Sequence, residues 1–220
     1  MRSKPLCFFA QSICGAGGES RMSVQAAIIA ILAERTARQA AIPGFRRAAV
    51  LIPLYETSAG LHVLLTKRTE LVPTHKGQIS FPGGGFLETD GDLQQTALRE
   101  SAEEIGLASE DVRVVGVLDD TPSAASGYLV RPFVGFIPYP YPLRLDGFEI
   151  DRVITLPLLP LMRHGKFREE IWDRGGTPHH VYFYQHGEDT IWGLTARILR
   201  DLVQILAAPL CAGGYLRLTE

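Results

Sequence analysis

Three glutamates stand close together in the segment RESAEEIGL, residues 99–107, where acidic side chains could bind a cation. A glycine readily adopts the left-handed conformation that closes a helix, so Gly106 predicts a helix end just after Glu100, Glu103 and Glu104. Carboxylates in the last turns repel one another and the negative end of the helix dipole. A basic neighbour, solvent or a bound cation must therefore compensate them.

The spacing of this segment predicts a helix with two different faces. At 100° per residue the three glutamates span an arc of about 100°. Leu98, Ala102 and Ile105 point roughly the other way and are expected to face the core. An acidic face in plain solvent is the alternative explanation for an isolated pair of glutamates on a helix.

A glycine-rich stretch, FPGGG at residues 81–85, precedes this helix and predicts a loop that approaches a ligand closely. Gly83 and Gly84 are its candidate substrate contacts. Carboxylate oxygens suit Mg²⁺ or Mn²⁺, and Mg²⁺ usually bridges to substrate phosphates. The loop and the acidic helix together therefore predict a hard-cation site beside a phosphate-bearing ligand.

The whole segment GGGFLETDGDLQQTALRESAEEIGL, residues 83–107, resembles the signature of the Nudix superfamily. Its ending, Arg-Glu-x-x-Glu-Glu-x-Gly-apolar, is matched in full at residues 99–107. The resemblance implies an α/β protein with a Nudix-type α/β/α sandwich built on a mixed β-sheet. It also implies hydrolysis of a nucleoside diphosphate linked to another group, with Mg²⁺ or Mn²⁺ as cofactor.

Carried over by position, the resemblance implies a role for each charged residue of the helix. Glu103 and Glu104 would be the main metal ligands, and Glu100 a third ligand or the base that activates water. Arg99 would orient a glutamate side chain, and its i to i+4 spacing from Glu103 permits an ion pair. Metal binding would lower the pKa of water and neutralise pyrophosphate oxygens.

The front of the signature departs from the family pattern. Gly91 stands where the family has a glutamate, so the loop is one residue longer, and Glu88, Asp90 or Asp92 could substitute. Asp90 is our candidate, with helix capping as its alternative role. Ser101 replaces an apolar residue and is small enough to be buried.

A second resemblance concerns the substrate. LLTKRTELVPTHKGQISFPGG, residues 64–84, resembles the segment before the signature in the coenzyme A pyrophosphatase branch. The substrate would then be coenzyme A or an acyl-CoA, cut into adenosine 3′,5′-bisphosphate and a phosphopantetheine. Arg68, His75 and Lys76 could contact its phosphates, or equally lie in solvent. Pro73 stands where this branch usually has arginine, which weakens the case for coenzyme A.

Two alternative functions stay open. One is the same chemistry on ADP-ribose, a dinucleotide or another nucleoside diphosphate derivative. The other is a Nudix-fold protein that binds a nucleotide without turnover, which the three intact glutamates disfavour. Glu149 lies in a segment where many Nudix enzymes carry an extra acid, and it is an alternative base.

The elements that must position these residues follow from hydrophobic periodicity. We predict a helix over 24–41, a hairpin of strands 46–56 and 61–68, the acidic helix from near Asp90 or Asp92 to Ile105, and a closing helix over 195–207. Further strands are predicted at 112–120, 128–137, 153–159 and 179–186.

The composition limits the classes of function. The 220 residues carry a formal charge of −2, so no cationic surface for nucleic acid is expected. Three scattered cysteines and no apolar run of membrane-spanning length favour a soluble, cytoplasmic protein without a membrane partner. We predict a tail over 1–21, whether disordered or a misassigned start, and a single domain over 22–220. The apolar N-terminal helix is a candidate homodimer surface.

Overall fold

The computed structural model describes residues 22–164 and 167–215, and within them an eight-stranded mixed sheet is the largest element. Its strands are β1 (Arg46–Thr57), β2 (Gly60–Arg68), β3 (Ile79–Ser80), β4 (Gly83–Gly85), β5 (Arg113–Val117), β6 (Thr121–Ser123), β7 (Tyr128–Phe136) and β8 (Ile150–Pro157). The helices are α1 (Val24–Ala33), α2 (Leu93–Ile105), α3 (Leu158–His164) and α4 (Gly193–Ala212).

The centre of the sheet is the hairpin of β1 and β2, which confirms the prediction. The two strands pair only near their turn, from Leu54 opposite Val63 to Thr57 opposite Gly60. Farther from the turn they separate, so that β4 pairs with β1 and β3 pairs with β2. On the outer sides, β7 runs parallel to β1 and β8 runs antiparallel to β2. The glycine stretch is therefore held as a short strand inside the sheet.

Helices cover both faces of this sheet, which confirms the predicted α/β/α sandwich. On one face, residues of α2 such as Ala97 and Ile105 pack with Leu51 of β1. On the other face, α1, α3 and α4 pack against alternate residues of the same strands, for example Leu199 of α4 with Ile52 of β1. Strand alternation gives the two faces separate cores.

The predicted first helix is too long, because α1 ends at Ala33 and not at residue 41. The chain beyond it bonds to acidic side chains instead of continuing the helix. The backbone N–H of Arg38 donates to Asp119 at 3.0 Å, and that of Ala40 donates to Asp120 at 2.8 Å. The apolar side of α1 packs on α4 and β5 within the chain, and the homodimer stays a prediction.

A second, three-stranded antiparallel sheet lies beside α4. Its strands are β9 (Arg168–Arg174), β10 (Thr177–His186) and β11 (Asp189–Trp192). Tyr182, Tyr184 and Ile191 from one face of this sheet join the main core. Only part of β10 was predicted from the sequence. An ion pair connects the sheets, since Arg152 of β8 lies 2.6 Å from Asp189 of β11.

Within residues 22–164 and 167–215, no helix is long and apolar enough to cross a lipid bilayer. The predicted tail over 1–21 lies outside the described residues.

Candidate active site

The acidic helix α2 begins and ends where the sequence predicts. Asp92 is its N-cap, and the Asp92 carboxylate accepts a hydrogen bond from the backbone N–H of Gln95 at 2.8 Å. Gly106 has φ +67°, the left-handed conformation expected of a C-terminal glycine. Both ends are therefore fixed by local residues, which sets the direction of every side chain between them.

The buried face of α2 is rotated from our prediction. Ala102, expected in the core, is exposed, whereas Ser101 and Glu104 are buried. The Ser101 hydroxyl donates to the carbonyl of Ala97 at 2.7 Å, which satisfies it inside the helix. The three glutamates consequently differ in environment, from the buried Glu104 to Glu103, whose side chain is 60% exposed.

Glu104 is an acidic group held inside the protein with few partners. Only 5% of the residue is exposed. Its carboxylate accepts a hydrogen bond from the Gly83 N–H at 3.3 Å, and the Arg68 guanidinium lies 3.7 Å away. Burial raises the pKa of Glu104 to about 8, against the opposing hydrogen bond from Gly83. The charged form is thus under-compensated by the protein itself.

Arg99 lies among the other carboxylates in the position that the orienting role requires. Its Nη1 donates to Glu100 at 2.8 Å and to Glu103 at 3.1 Å, while Nη2 donates to the Gly85 carbonyl at 3.2 Å. Burial raises the pKa of Glu100, although the hydrogen bond from Arg99 works against this shift. The Arg99 guanidinium therefore compensates Glu100 and Glu103, but not the buried Glu104.

Asp90 binds Arg99 and does not cap α2. Its side chain is 3% exposed and receives hydrogen bonds from Arg99 Nε at 2.7 Å, from the Thr96 hydroxyl at 2.8 Å and from the Leu87 N–H at 3.0 Å. These bonds, led by that of Arg99, hold the pKa of Asp90 well below its usual range. Asp90 thus fixes the arginine, and all its described contacts are internal to the loop and helix.

Gly83 and Gly84 are placed where a side chain would not fit. A Cβ at Gly83 would collide with the Ala49 carbonyl of β1, and one at Gly84 would collide with the Glu100 carboxylate. Both glycines also line a cleft of about 510 Å³. This volume lies within the range of about 300–1,000 Å³ typical of small-molecule sites. The cleft and the acidic helix therefore meet at β4.

Of the three predicted phosphate contacts, two line this cleft. Arg68 and His75 are among its lining residues, whereas Lys76 is exposed and lies outside the lining. His75 has φ +58°, and its Nδ1 lies 2.8 Å from Oε1 of Gln78, which holds the ring at the cleft.

Glu149, the alternative base, lies on the other side of Arg68. Its Oε2 is 3.4 Å from Arg68 Nη2, and 43% of its side chain is exposed. Among the described residues, Arg68 Nε is buried without a hydrogen-bond partner. The guanidinium thus lies between Glu104 and Glu149, with bonding capacity left over.

The structure adds cleft residues that the sequence did not single out as ligand contacts. Trp172, Trp192 and Arg197 also line the cleft. Trp192 is also the N-cap residue of α4. Trp172 lies in β9, a strand that the sequence analysis missed because charged residues surround its few apolar ones.

The residues around Glu104 fit a hard divalent cation in their donor chemistry. Their free groups are carboxylate oxygens, and Glu104 is buried with a single hydrogen bond and one distant guanidinium. Within the described residues, no three His, Cys, Asp or Glu side chains already converge as a metal site. Cation binding would therefore have to draw Glu100 or Glu103 away from Arg99.

This chain is similar in sequence to known proteins of one family. The model of the NUDIX domain matches residues 45–139. A protein of Klebsiella pneumoniae subsp. pneumoniae described as an uncharacterized Nudix hydrolase NudL is 39% identical over 166 residues, which cover 74% of this chain and 85% of the relative. A protein of the same description from Cronobacter sakazakii is 39% identical over 158 residues, covering 71% and 81%. The crystal structure of a NUDIX hydrolase from Alicyclobacillus acidocaldarius aligns with a TM-score of 0.46 and 20% identity, covering 82% of this chain and 100% of that one.

Proposed function

This chain belongs to the Nudix hydrolase family, and from that premise we propose that it hydrolyses the pyrophosphate bond of coenzyme A or an acyl-CoA. The products would be adenosine 3′,5′-bisphosphate and phosphopantetheine or its acyl derivative. The observation that carries the proposal is the buried Glu104 on α2, which accepts a hydrogen bond from the N–H of Gly83, a residue that lines the cleft. A buried acid directly behind a glycine-lined cleft suits a cation that must meet a substrate phosphate.

In this proposal the charged residues of α2 have different roles in metal binding, water activation and positioning. Glu103 and Glu104 hold Mg²⁺ or Mn²⁺, and Glu100 serves as a third ligand or as the base for water. Arg99, fixed by Asp90, sets the positions of Glu100 and Glu103. When bound, the cation would neutralise pyrophosphate oxygens and lower the pKa of water.

The remaining residues bind and position the substrate. With no side chains on Gly83 and Gly84, a phosphate can approach the backbone beside Glu100. Arg68 and His75 line the cleft, so the guanidinium of Arg68 can donate to phosphate, as can His75 when protonated. Glu149, partly exposed next to Arg68, is the alternative base if Glu100 is a ligand.

The choice of coenzyme A rests on residues 64–84, whose sequence resembles the coenzyme A pyrophosphatase branch. In the structure this segment supplies one wall of the cleft through Arg68, His75 and Gln78. The residues that carry the resemblance are therefore those that would contact the substrate, which supports a shared substrate class.

One observation favours a second candidate, hydrolysis of ADP-ribose, a dinucleotide or another nucleoside diphosphate derivative. Pro73 stands in the same wall segment, where the branch usually has arginine. A missing cation would weaken recognition of the 3′-phosphate that distinguishes coenzyme A from those compounds.

A substrate panel separates these functions. Coenzyme A, acetyl-CoA, ADP-ribose, NADH and a diadenosine polyphosphate are incubated with the protein and Mg²⁺ or Mn²⁺, and the products are separated by chromatography. We expect the highest kcat/KM for coenzyme A or acetyl-CoA, with adenosine 3′,5′-bisphosphate as product. Preference for ADP-ribose would establish the second candidate, and no turnover of any member would overturn both.

A further inference from the structure

The second sheet carries an aromatic cluster on the face that does not join the main core. Because strand residues alternate, Trp172, Phe183 and Trp192 lie opposite Tyr182 and Tyr184, which pack into the core. The ring of Phe183 stacks on that of Trp192 at 6.2 Å between centroids and 13° between planes. The two indoles lie 6.1 Å apart at 40°. The cluster is thus ordered without serving the core of the domain.

The two tryptophans of this cluster line the cleft, and Phe183 supports them from outside it. Arg168 covers the Phe183 ring at 4.2 Å, whereas Trp192 keeps 37% of its surface exposed. The indole N–H of Trp172 donates to Glu170 at 2.7 Å, which fixes the orientation of that ring. The cleft that Gly83 and Gly84 line therefore also has an indole wall, formed by Trp172 and Trp192, whose surface is flat, fixed and partly exposed.

Polar side chains also line the cleft together with the indoles and offer partners to the ring nitrogens of a base. His179 pairs with Trp172 across the strands and lies on the same face. Ser123 and Ser126, bonded to each other at 2.7 Å, line the neighbouring side of the cleft. A purine base offers two flat faces for the indoles and ring nitrogens for these polar groups.

We propose that Trp172 and Trp192 form the binding site for the purine base of the nucleotide half of the substrate. The assignment of the base to a substrate rests on the proposed function. With the base on the indole wall, the phosphates extend across the cleft toward β4, where Gly84 adjoins Glu100. Arg197 lines the same cleft, so its guanidinium can contact phosphate.

The chain makes this proposal directly testable, because Trp172 and Trp192 are the two tryptophans of the whole sequence. Intrinsic fluorescence excited at the indole band therefore reports on this wall. The intact protein is titrated, without metal, with adenosine 5′-monophosphate, with ribose 5-phosphate and with phosphopantetheine. We expect saturable quenching by the adenine nucleotide and none by ribose 5-phosphate, which has the same phosphate but no base.

Variants locate the effect on the indole wall. Trp192→Ala should weaken adenosine 5′-monophosphate binding about 10-fold to 100-fold, as for loss of one stacking partner, and Trp192→Phe should retain most of it. Ile171→Ala is the matched control, since Ile171 is 66% exposed on the opposite face of the same sheet. It should leave the affinity unchanged.

The outcomes separate this proposal from the proposed function. Quenching by phosphopantetheine but not by the adenine nucleotide, or equal binding in Trp192→Ala and Ile171→Ala, would overturn the base site while leaving pyrophosphate hydrolysis standing. Base-dependent quenching in a protein that cleaves no member of the substrate panel would sustain the base site and overturn the enzymatic function.

Discussion

Glu103 and Glu104 are adjacent in the sequence but differ sharply in their surroundings. Glu103 is exposed and pairs with Arg99, whereas Glu104 is buried beside Gly83 and keeps the raised pKa of an under-compensated acid. A bound cation would gain most at Glu104, because desolvated carboxylates interact more strongly with charge than solvated ones do. The two ligands implied by the family resemblance are therefore not equivalent in this chain.

Replacing Glu104 with glutamine tests this difference at one residue. Glu104→Gln keeps the shape and the acceptor for the Gly83 N–H but removes the charge. We expect kcat to fall about 100-fold or more, because the site loses charge stabilisation worth several kcal/mol. Steady-state hydrolysis of coenzyme A measures the effect, and circular dichroism checks the fold. Glu110→Gln, at an exposed acid outside the site, is the control, and equal rates in both variants would contradict the assignment.

Gly84 offers a second test, based on space instead of charge. The methyl group of Gly84→Ala would collide with the Glu100 carboxylate and displace it from the cleft. We expect kcat/KM to fall at least about 10-fold, since small misplacements of catalytic groups are costly. Gly147→Ala is the matched control because its Cβ meets no atom within 4 Å. Similar kinetics in the two variants would show that the carboxylate position does not matter.

The acidic helix could be predicted from sequence because several local signals agree. Asp92, Gly106 and the apolar period all specify the same helix, and no distant contact competes with them. The first helix was overestimated because the chain after it binds Asp119 and Asp120, acids that lie 81 and 80 residues from the backbone groups they accept from. Helix propensity depends on local sequence, so it cannot reveal hydrogen-bond acceptors that lie far away along the chain.

The residues of the candidate site also fall into two groups, those that local sequence signals predict and those that only the tertiary structure reveals. Glu100, Glu103, Glu104 and Arg99 were found because one helix carries them all. The role of Asp90 depends on a loop that returns its side chain to Arg99, and Trp172 reaches the cleft through the pairing of β9 with β10. Pairing between distant strands leaves little trace in local periodicity, so these contributions required the structure.

At the scale of elements, Asp189 connects β11 to the main sheet. It accepts two bonds from Arg152 Nη2, at 2.6 and 2.7 Å, and one from Lys67 at 3.3 Å. Asp189→Asn should lower the free energy of unfolding by about 1–2 kcal/mol at neutral pH. Urea unfolding of the wild type and the variant measures this change in unfolding free energy. Asp151→Asn, at an exposed acid 3.9 Å from the same arginine, is the control and should change little.

The pH dependence of this difference has a defined sign. The hydrogen bond from Arg152, opposed by burial, lowers the pKa of Asp189 in the folded protein. The ion pair therefore stabilises the fold above the unfolded pKa of about 3.9, and this contribution is lost as pH falls through the folded value. The difference in unfolding free energy between the wild type and Asp189→Asn should be largest at pH 7 and should shrink below about pH 4. A difference in unfolding free energy that does not change with pH would show that the Asp189 charge is not its cause.

At the scale of the whole molecule, the balanced net charge conceals a local imbalance. Glu100, Glu103, Glu104 and Glu149 cluster around two guanidinium groups, those of Arg99 and Arg68. With Asp90, which also binds Arg99, five carboxyl groups face these two bases, and a divalent cation would offset this excess of acid. Binding at this position would relieve repulsion present in the folded chain and should therefore be linked to global stability.

This linkage gives a prediction that needs no turnover. A ligand that binds only the folded state at 100 times its Kd stabilises by about 2.7 kcal/mol. For a domain of this size that corresponds to about 5–10 °C in Tm. We expect Mn²⁺ to raise the Tm by several degrees and EDTA to reverse the rise. Glu110→Gln should retain the shift, whereas Glu104→Gln should lose most of it because the buried charge is gone. An equal shift in both variants would place the stabilising cation elsewhere, and the buried acid would then need another explanation.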